Sequence, residues 1–311
     1  MAHADAATPV GLALRGSAAR RRRESIVRAI LLAAALSSIV VSGFIVYTVA
    51  FEALKFLTSI DLSDLVGIGW FPRRGLFDIS TLLLGTLMVT AIAMLVATPV
   101  GLASAIYLSE YATPRTRHVI KPIIEVLAGI PSVVLGFFAL TVINPNIVQG
   151  LFPKAPAFTI LAAGLAVGIL SIPLVATVAE DAMRAVPRSL REASYGLGAR
   201  RLTTSLRVVF PAAISGIVAA LILAASRAIG ETMIVALAAG ATGGGVRSID
   251  PLAPGQTMTA AMAAIATGSD QVRGAENTFQ SLFFVGALLF AITLVLNVVG
   301  ENFVRRTRQR Y

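Results

Sequence analysis

Long apolar runs alternate along this chain with short segments that are rich in charge, glycine and proline. A helix that crosses the hydrocarbon core of a bilayer, about 30 Å thick, needs about 20 mostly apolar residues. Runs of that kind predict membrane-spanning helices at about 26–50, 79–108, 122–143, 158–178, 211–239 and 279–303. The pattern predicts an all-α, polytopic integral membrane protein with about six transmembrane helices.

Composition agrees with this interpretation. Of the 311 residues 56% are apolar and 14% are charged, whereas about 25% of residues are charged in soluble domains. The chain has no cysteine, which excludes disulfides and cysteine-ligated zinc. We draw nothing about the compartment from that absence.

The net charge of +10 could indicate nucleic-acid binding, so the positions of the cations decide its meaning. They lie at the ends of apolar runs. Cytoplasmic segments of membrane proteins are enriched in Lys and Arg, so we expect both termini in the cytoplasm, contact with membrane lipid and no nucleic-acid partner. We divide the chain into a basic N-terminal segment at 1–25, a transmembrane domain at 26–304 and a basic tail at 305–311. The terminal cations are Arg20, Arg21, Arg22, Arg23, Arg305, Arg306, Arg308 and Arg310.

A charged segment at about 179–210 interrupts the apolar pattern before the fifth span. Pro187 suits the first turn of a short helix, and Gly196 or Gly198 suits its C-terminal cap. A second short element would run to Pro211. The simple alternative is a solvated linker with interfacial arginines.

Opposite charges lie inside the fifth predicted span. Arg227 and Glu231 are four residues apart, so on a continuous helix they would share a face and could pair. Charges in a bilayer are costly and usually face a bundle interior or a water-filled path. We expect Arg227 and Glu231, with their neighbours Ser226 and Thr232, to line such a path. A structural ion pair is the alternative.

The chemistry of this pair suits an anion. A guanidinium offers forked donors to tetrahedral oxyanions. Glu231 would partly neutralise Arg227, so that a bound anion is also released. Every fourth residue of the span from Ala212 to Gly240 is small, which would let another helix approach closely.

Three further features have simpler interpretations. Glu125 is expected to pair with Lys121, one turn before it, and Pro131 should kink the third span. The acidic pair Glu180 and Asp181 is expected in the cytoplasmic loop, without the partners that an intramembrane enzyme would need.

The segment before the fifth span resembles the coupling loop of ABC importer permeases. The family pattern is Glu-Ala-Ala, three residues, Gly, nine residues and Ile-x-Leu-Pro. In this chain Ser194 replaces the second Ala, Val208 the Ile and Phe210 the Leu. The resemblance implies that the loop forms a short helix seated on a cytoplasmic ATPase. The matching residues are Glu192, Ala193, Ser194, Gly198 and Pro211.

A second resemblance is more specific. Residues 227–232 are similar to the R-A-x-G-E-T motif of phosphate-specific ABC transporter permeases, and Met233 favours the PstC type over the PstA type. Residues 99–111, 125–136 and 185–187 resemble that family in the same order. The resemblance implies the type I ABC importer permease (MetI-like) fold and the translocation of inorganic phosphate.

The same resemblance implies the partners: a companion permease of the PstA type, two ATPases of the PstB type and an external phosphate-binding protein. The chain has no Gly-x-x-x-x-Gly-Lys-Ser/Thr motif, so ATP-Mg is expected in the ATPases, with no cofactor, metal or catalytic residue in this chain. The alternatives are a permease for sulfate, molybdate or phosphonate, a proton-coupled secondary transporter, and an intramembrane phosphotransferase.

Overall fold

The computed structural model describes residues 18–240, 244–268 and 277–307. Most of the predicted N-terminal segment, and Arg308 and Arg310 of the predicted tail, lie outside these residues. The chain divides into two compact units, Met1–Phe51 and Glu52–Tyr311. The first unit contributes most of one long helix, and all sites considered below belong to the second.

The described residues are mostly helical, as the apolar pattern predicts. The α-helices are α1 Ala18–Ser59, α2 Ile79–Ile106, α3 Pro114–Ala128, α4 Ser132–Phe138, α5 Gln149–Leu151, α6 Ile160–Arg184, α7 Arg188–Gly196, α8 Arg201–Thr204, α9 Phe210–Ala212, α10 Ile214–Ile229, α11 Met233–Ala238, α12 Met258–Ala266 and α13 Thr278–Thr307. Segments of π-helix follow α2, α4 and α8 at Tyr107–Tyr111, Ala139–Val148 and Ser205–Val209, and 3-10 turns lie at Leu62–Leu65 and Pro72–Arg74.

Five helical stretches of the described chain are long and apolar enough to cross a membrane. A sixth arises if the bent pair Arg201–Ala212 and Ile214–Ile229, which meet at 72°, counts as one span. The prediction of about six transmembrane helices is confirmed. The five stretches are Arg22–Ser59, Ile79–Tyr111, Ser132–Leu151, Ile160–Arg184 and Thr278–Arg306.

The third span differs from its predicted bounds of about 122–143. The chain breaks between α3 and α4, and the apolar stretch runs from Ser132 to Leu151 instead. Pro131 is the N-cap of α4. A proline disfavours helical backbone at the residue before it and has no amide hydrogen to donate. The predicted kink at Pro131 is therefore a full break.

The fourth span is longer than predicted. Helix α6 continues to Arg184, six residues beyond the expected end at 178. The first residues of the predicted coupling loop are therefore helical. Glu180 and Asp181 lie on the last turns of α6 and not in a loop, which corrects that expectation.

Close packing of α2 on α6 forms the centre of the second unit. A Cβ atom at Gly164 would lie 2.7 Å from Cβ of Ile92, and one at Gly168 would lie 3.0 Å from the carbonyl oxygen of Ala93. The two backbones therefore approach so closely that only glycine fits at these positions. In a bilayer, such small-residue contacts replace the hydrophobic effect as the basis of helix association.

The segments between spans also contain structure that the apolar pattern did not predict. Strands β1 Gly69–Phe71, β2 Leu76–Phe77 and β3 Gly245–Val246 form an antiparallel sheet in the order β2-β1-β3. The nine-residue helix α12 lies between the fifth and sixth predicted spans. The amide of Met258, at the start of α12, donates to Thr86 Oγ1 of α2 at 3.0 Å. These loops are thus folded against the helices.

Candidate functional site

The fifth predicted span is broken at its charged residues. Helix α10 ends at Ile229, Gly230 caps it, and α11 begins only at Met233. Glu231 therefore lies outside both helices, and its side chain forms no ion pair with Arg227. The expectation of a paired couple on one continuous helix face is wrong, because the spacing rule holds only while the helix continues.

The break is stabilised from a distant part of the chain. The Glu231 carbonyl, which no helical amide reaches, accepts a hydrogen bond from Thr259 Oγ1 of α12 at 2.7 Å. A freed backbone carbonyl inside a membrane protein needs such a partner. Gly230 has low helix propensity, which lowers the cost of ending the helix there.

Around this break the predicted path residues have different environments. Arg227 is exposed, and no described acceptor bonds its guanidinium. Glu231 is partly buried, and its Oε1 lies 3.5 Å from the amide of Ile234, which is a weak contact. Thr232 Oγ1 donates to the Gly230 carbonyl at 3.3 Å. Arg227 and Glu231, on the two sides of the helix end, therefore have no ionic partner among the described residues.

Ser226 has a different position from the other three. Its hydroxyl donates to Asn297 Oδ1 of α13 at 3.1 Å. This contact ties α10 to the last helix. The predicted row of small residues lies on one continuous helix only within α10, because the chain bends before Ile214 and breaks after Ile229. Within α10 the row packs inside the protein, since Ala220, Ala224 and Ala228 are buried.

The second candidate site is the coupling loop, where the predicted short helix is present as α7. Pro187 is its N-cap. At its end the amide of Gly198 donates to the Tyr195 carbonyl at 2.9 Å and the amide of Ala199 to the Ser194 carbonyl at 3.1 Å. These are the two bonds of a Schellman motif. Gly198 has φ of +81°, the left-handed conformation predicted for a capping glycine.

The matched residues of the coupling loop divide into exposed and structural positions. Glu192 and Ala193 are exposed on α7. Ser194 is buried and its hydroxyl is 2.9 Å from Thr204 Oγ1 of α8, which closes the loop on itself. Pro211 lies in α9, before the 72° bend that leads into α10. The loop is therefore a folded unit that presents one exposed face.

An ion pair that the sequence did not reveal fastens α7 to the helices. Arg191 Nη2 lies 2.9 Å from Oε1 of Glu110, whose side chain is 3% exposed. The same guanidinium donates to the carbonyls of Met183, at 2.8 Å, and Val186, at 2.7 Å. Glu110 is 81 residues earlier, so no local spacing could indicate the pair. Arg191 thereby joins α7 to the ends of α2 and α6.

A second ionic cluster joins α3 to α6. Arg117 Nε donates to Oε1 of the buried Glu180 at 2.6 Å, and Lys121 Nζ lies 3.0 Å from Glu180 Oε2 and 2.9 Å from Asp181 Oδ1. The expected pair of Lys121 with Glu125 is thus replaced by pairs of Lys121 with Glu180 and Asp181. Burial lowers the pKa of Lys121, but hydrogen bonds and charges from Asp181 and Glu180 raise it overall.

Five or six apolar spans define a polytopic helical membrane protein. One span is broken beside an exposed charge, and a short helix is anchored to two of the others. The sequence profile described as "Binding-protein-dependent transport system inner membrane component" matches residues 97–309. The chain belongs to this family.

Curated relatives agree with the family. The chain is 34% identical over 253 residues to "Phosphate transport system permease protein PstC 1" of Mycobacterium tuberculosis, covering 76% of this chain and 74% of that protein. It is 36% identical over 191 residues to "Probable ABC transporter permease protein YqgH" of Bacillus subtilis, covering 61% of this chain and 59% of that protein. Both relatives are named as permeases.

Solved structures of ABC transporters share the fold. A chain of a bacterial transporter involved in the import of the acidic polysaccharide alginate aligns with a TM-score of 0.61 and 15% identity, over 93% of this chain and 100% of that chain. A chain of the MetNI methionine transporter aligns with a TM-score of 0.54 and 17% identity, over 74% and 94%. The predicted MetI-like permease fold is confirmed.

Proposed function

We propose that this chain is a permease subunit of an ATP-driven importer that carries inorganic phosphate across the cytoplasmic membrane. The observation that carries the proposal is the 34% identity, over three quarters of the chain, to a protein named as a phosphate transport permease. The exposed Arg227 at the break of the fifth span agrees with an anionic substrate.

In the proposed path Arg227 attracts the anion through its forked donors. Glu231 does not pair with it in this chain, so it acts as a nearby negative charge that limits how tightly the anion is held. Thr232 and Ser226 flank the two charges. The broken helix supports this role, because irregular backbone within membrane proteins is usually found where it lines a cavity or is buried in protein.

The coupling loop transmits the work of ATP hydrolysis in this proposal. Glu192 and Ala193, which are exposed on α7, contact the ATPase, while Ser194, Gly198 and Pro211 fix the shape of the loop. Displacement of α7 reaches α2 and α6 through Arg191 and Glu110. Rigid elements of this kind convert domain closure into helix movement.

The proposed assembly has the chain beside a companion permease of the PstA type, two cytoplasmic ATPases and an external phosphate-binding protein. ATP-Mg is bound by the ATPases and not by this chain, which makes and breaks no bond and is not an enzyme. We propose that both termini, like α7, lie in the cytoplasm.

The proposal is tested by uptake of radiolabelled phosphate in cells that lack the chain and in cells in which it is restored, with sulfate and molybdate as competitors. We expect uptake to return and only unlabelled phosphate to compete. If another oxyanion competes instead, the chain is still assigned as an importer permease, but the assignment of phosphate as its substrate is wrong.

The path residues are tested in the same cells. Arg227→Ala, with assembly verified by co-purification, should lower uptake at least about tenfold, as expected for the loss of a charge-assisted contact. Glu231→Gln should also lower uptake, because the anion is then held more tightly and released more slowly. Arg247→Ala, which removes an exposed arginine between the fifth and sixth predicted spans, is the matched control. Wild-type uptake by assembled Arg227→Ala would contradict the proposed path.

A further inference from the structure

A cavity of about 300 Å³ lies between α7, the end of α6 and the π-helical turn Tyr107–Tyr111. Four arginines line it: Arg184, Arg188, Arg191 and Arg201. Its one acidic residue is Glu110. We call this cavity the arginine pocket.

The charges of the arginine pocket do not balance. The carboxylate of Glu110 is bonded to Arg191. Arg184, Arg188 and Arg201 form no ion pair with any described residue. Four guanidinium groups against one carboxylate leave a net charge of +3 around a cavity that is large enough for a small anion. Like charges gathered in this way repel each other unless an anion lies among them.

The pocket is also preorganised. Hydrogen bonds to Glu110 and to the carbonyls of Met183 and Val186 fix Arg191. The Arg201 guanidinium lies over the Tyr111 ring, 5.2 Å from its centroid. Side chains held in advance lose less conformational entropy when a ligand binds.

The arrangement of donors fits an oxyanion. Arg188, Arg191 and Tyr195 of α7 follow a spacing of three and four residues, so they share one face of the helix and line the same cavity. Guanidinium groups offer paired donors that match the oxygens of phosphate. Tyr195, which lines the same cavity, carries a further hydroxyl donor.

We propose that the arginine pocket binds a tetrahedral oxyanion of the phosphate type on the α7 side of the membrane, either free inorganic phosphate or the phosphate of an anionic lipid headgroup. A bound anion would connect α7 to the ends of α2 and α6 and so stiffen the coupling loop. If the anion is free phosphate, the pocket responds to the transported product. That last step alone rests on the proposed function.

The test uses the complex of permeases and ATPases without the external binding protein, in delipidated maltoside micelles, with [32P]orthophosphate as the probe. Arg184→Gln combined with Arg188→Gln should weaken orthophosphate binding at least about tenfold. Arg200→Gln combined with Arg207→Gln, two exposed arginines of the same loop outside the pocket, should leave it unchanged. Should the double variant not assemble, each single variant should weaken binding several-fold.

Two arms distinguish the sources of the anion. If a lipid headgroup occupies the pocket, phosphatidylglycerol in nanodiscs competes with orthophosphate and lowers the affinity of the wild type for it. The residual binding of the double variant is then unchanged. A free-phosphate site keeps its affinity in both lipid conditions. Either result supports the pocket.

The proposal is overturned if the wild-type complex binds no orthophosphate, or if the Arg184 and Arg188 variants bind it as well as the wild type. It is also overturned if binding appears only when the ATPases are removed, since acidic side chains of the partner would then occupy the pocket. Binding that is lost in Arg227→Ala but kept in the double variant places the anion in the translocation path. That result refutes the pocket and supports the proposed function.

Discussion

The guanidinium of Arg191 and the carboxylate of Glu110 form a buried ion pair, with Nη2 2.9 Å from Oε1. The pair connects α7, which presents an exposed face, to the turn that ends the second span. The side chains are 17% and 3% exposed. Helix α7 and the end of α2 are therefore joined by a direct contact between two charged side chains.

Arg191→Ala should destabilise the protein by about 3 kcal/mol, because it leaves the carboxylate of Glu110 buried without its counter-charge. The carbonyls of Met183 and Val186 would also lose their donor. Denaturant unfolding in detergent measures the loss, and the ratio of phosphate taken up to ATP hydrolysed should fall with it.

The matched control for this prediction is Arg200→Ala, since Arg200 is exposed and forms no ion pair with the described residues. Glu110→Gln combined with Arg191→Met should recover part of the stability, because neither charge is then left alone. It should not recover coupling. Equal stability of Arg191→Ala and wild type would show that the pair contributes nothing.

The two glycines at the end of α7 should respond differently to alanine. Gly198 has φ of +81°, where an L-residue costs roughly 1–2 kcal/mol, while Gly196 is the last helical residue. A Cβ atom at either position would meet no atom within 4 Å. Gly198→Ala should therefore loosen the loop, and Gly196→Ala should be neutral or slightly stabilising.

Hydrogen exchange at the amides of Gly198 and Ala199 measures this effect, because both form the bonds of the cap. Exchange should be faster in Gly198→Ala and unchanged in Gly196→Ala, with the membrane spans folded in both. Equal exchange in the two variants would mean that backbone conformation does not control the cap.

The features that the sequence predicted depend on local signals. Apolar runs report spans because a bilayer demands about 20 apolar residues in succession. Helix α7 was predictable because Pro187 and Gly198 favour the backbone conformations of a helix start and a helix end at their own positions. Pro131 likewise predicted a disturbance, though the break is more complete than the expected kink.

The features that the sequence could not predict depend on distant partners. The Glu231 carbonyl is satisfied by Thr259, 28 residues later, so the end of α10 cannot be deduced from the fifth span alone. Lys121 prefers Glu180 and Asp181, about 60 residues away, to the nearby Glu125. Helix spacing shows which residues can pair within one helix. Whether a side chain pairs there or with a residue of another helix depends on how the helices pack.

The ionic cluster at Lys121 should give stability a dependence on alkaline pH. Burial lowers the pKa of Lys121, but its bonds to Asp181 and Glu180 raise the pKa above 10.5 overall. A group whose pKa is raised on folding stabilises fully below its unfolded pKa and loses that effect as pH rises through the folded value. The stability difference between wild type and Lys121→Met should be constant from neutral pH to about pH 9 and shrink above about pH 10.5.

Unfolding in denaturant at a series of pH values measures this difference. Lys154→Met, which removes an exposed lysine of another loop, corrects for the general effect of alkaline pH. A difference that grows as pH rises would have the wrong sign and would contradict the assignment of the cluster.

Asp78 should give the opposite pH dependence at the start of α2. Its carboxylate accepts hydrogen bonds from the Ser80 amide at 3.0 Å, the Ser80 hydroxyl at 2.6 Å and Thr81 Oγ1 at 2.7 Å. Burial raises the pKa of Asp78, but these bonds and the Gly67 amide hold it below 3.8 overall. A lowered pKa gives stability that is present above the unfolded value and is lost as pH falls through the folded value.

Asp78→Ala should therefore cost about 1–2 kcal/mol at neutral pH, the usual range for the loss of a helix N-cap. The cost should decrease below about pH 4, where the wild-type carboxylate also becomes protonated. Asp61 is the matched control, because it precedes the short 3-10 turn Leu62–Leu65 without a side-chain capping bond. If Asp61→Ala and Asp78→Ala were equally destabilising at neutral pH, the capping bonds of Asp78 would not be the cause of its effect. The loss of a negative charge would then explain both results.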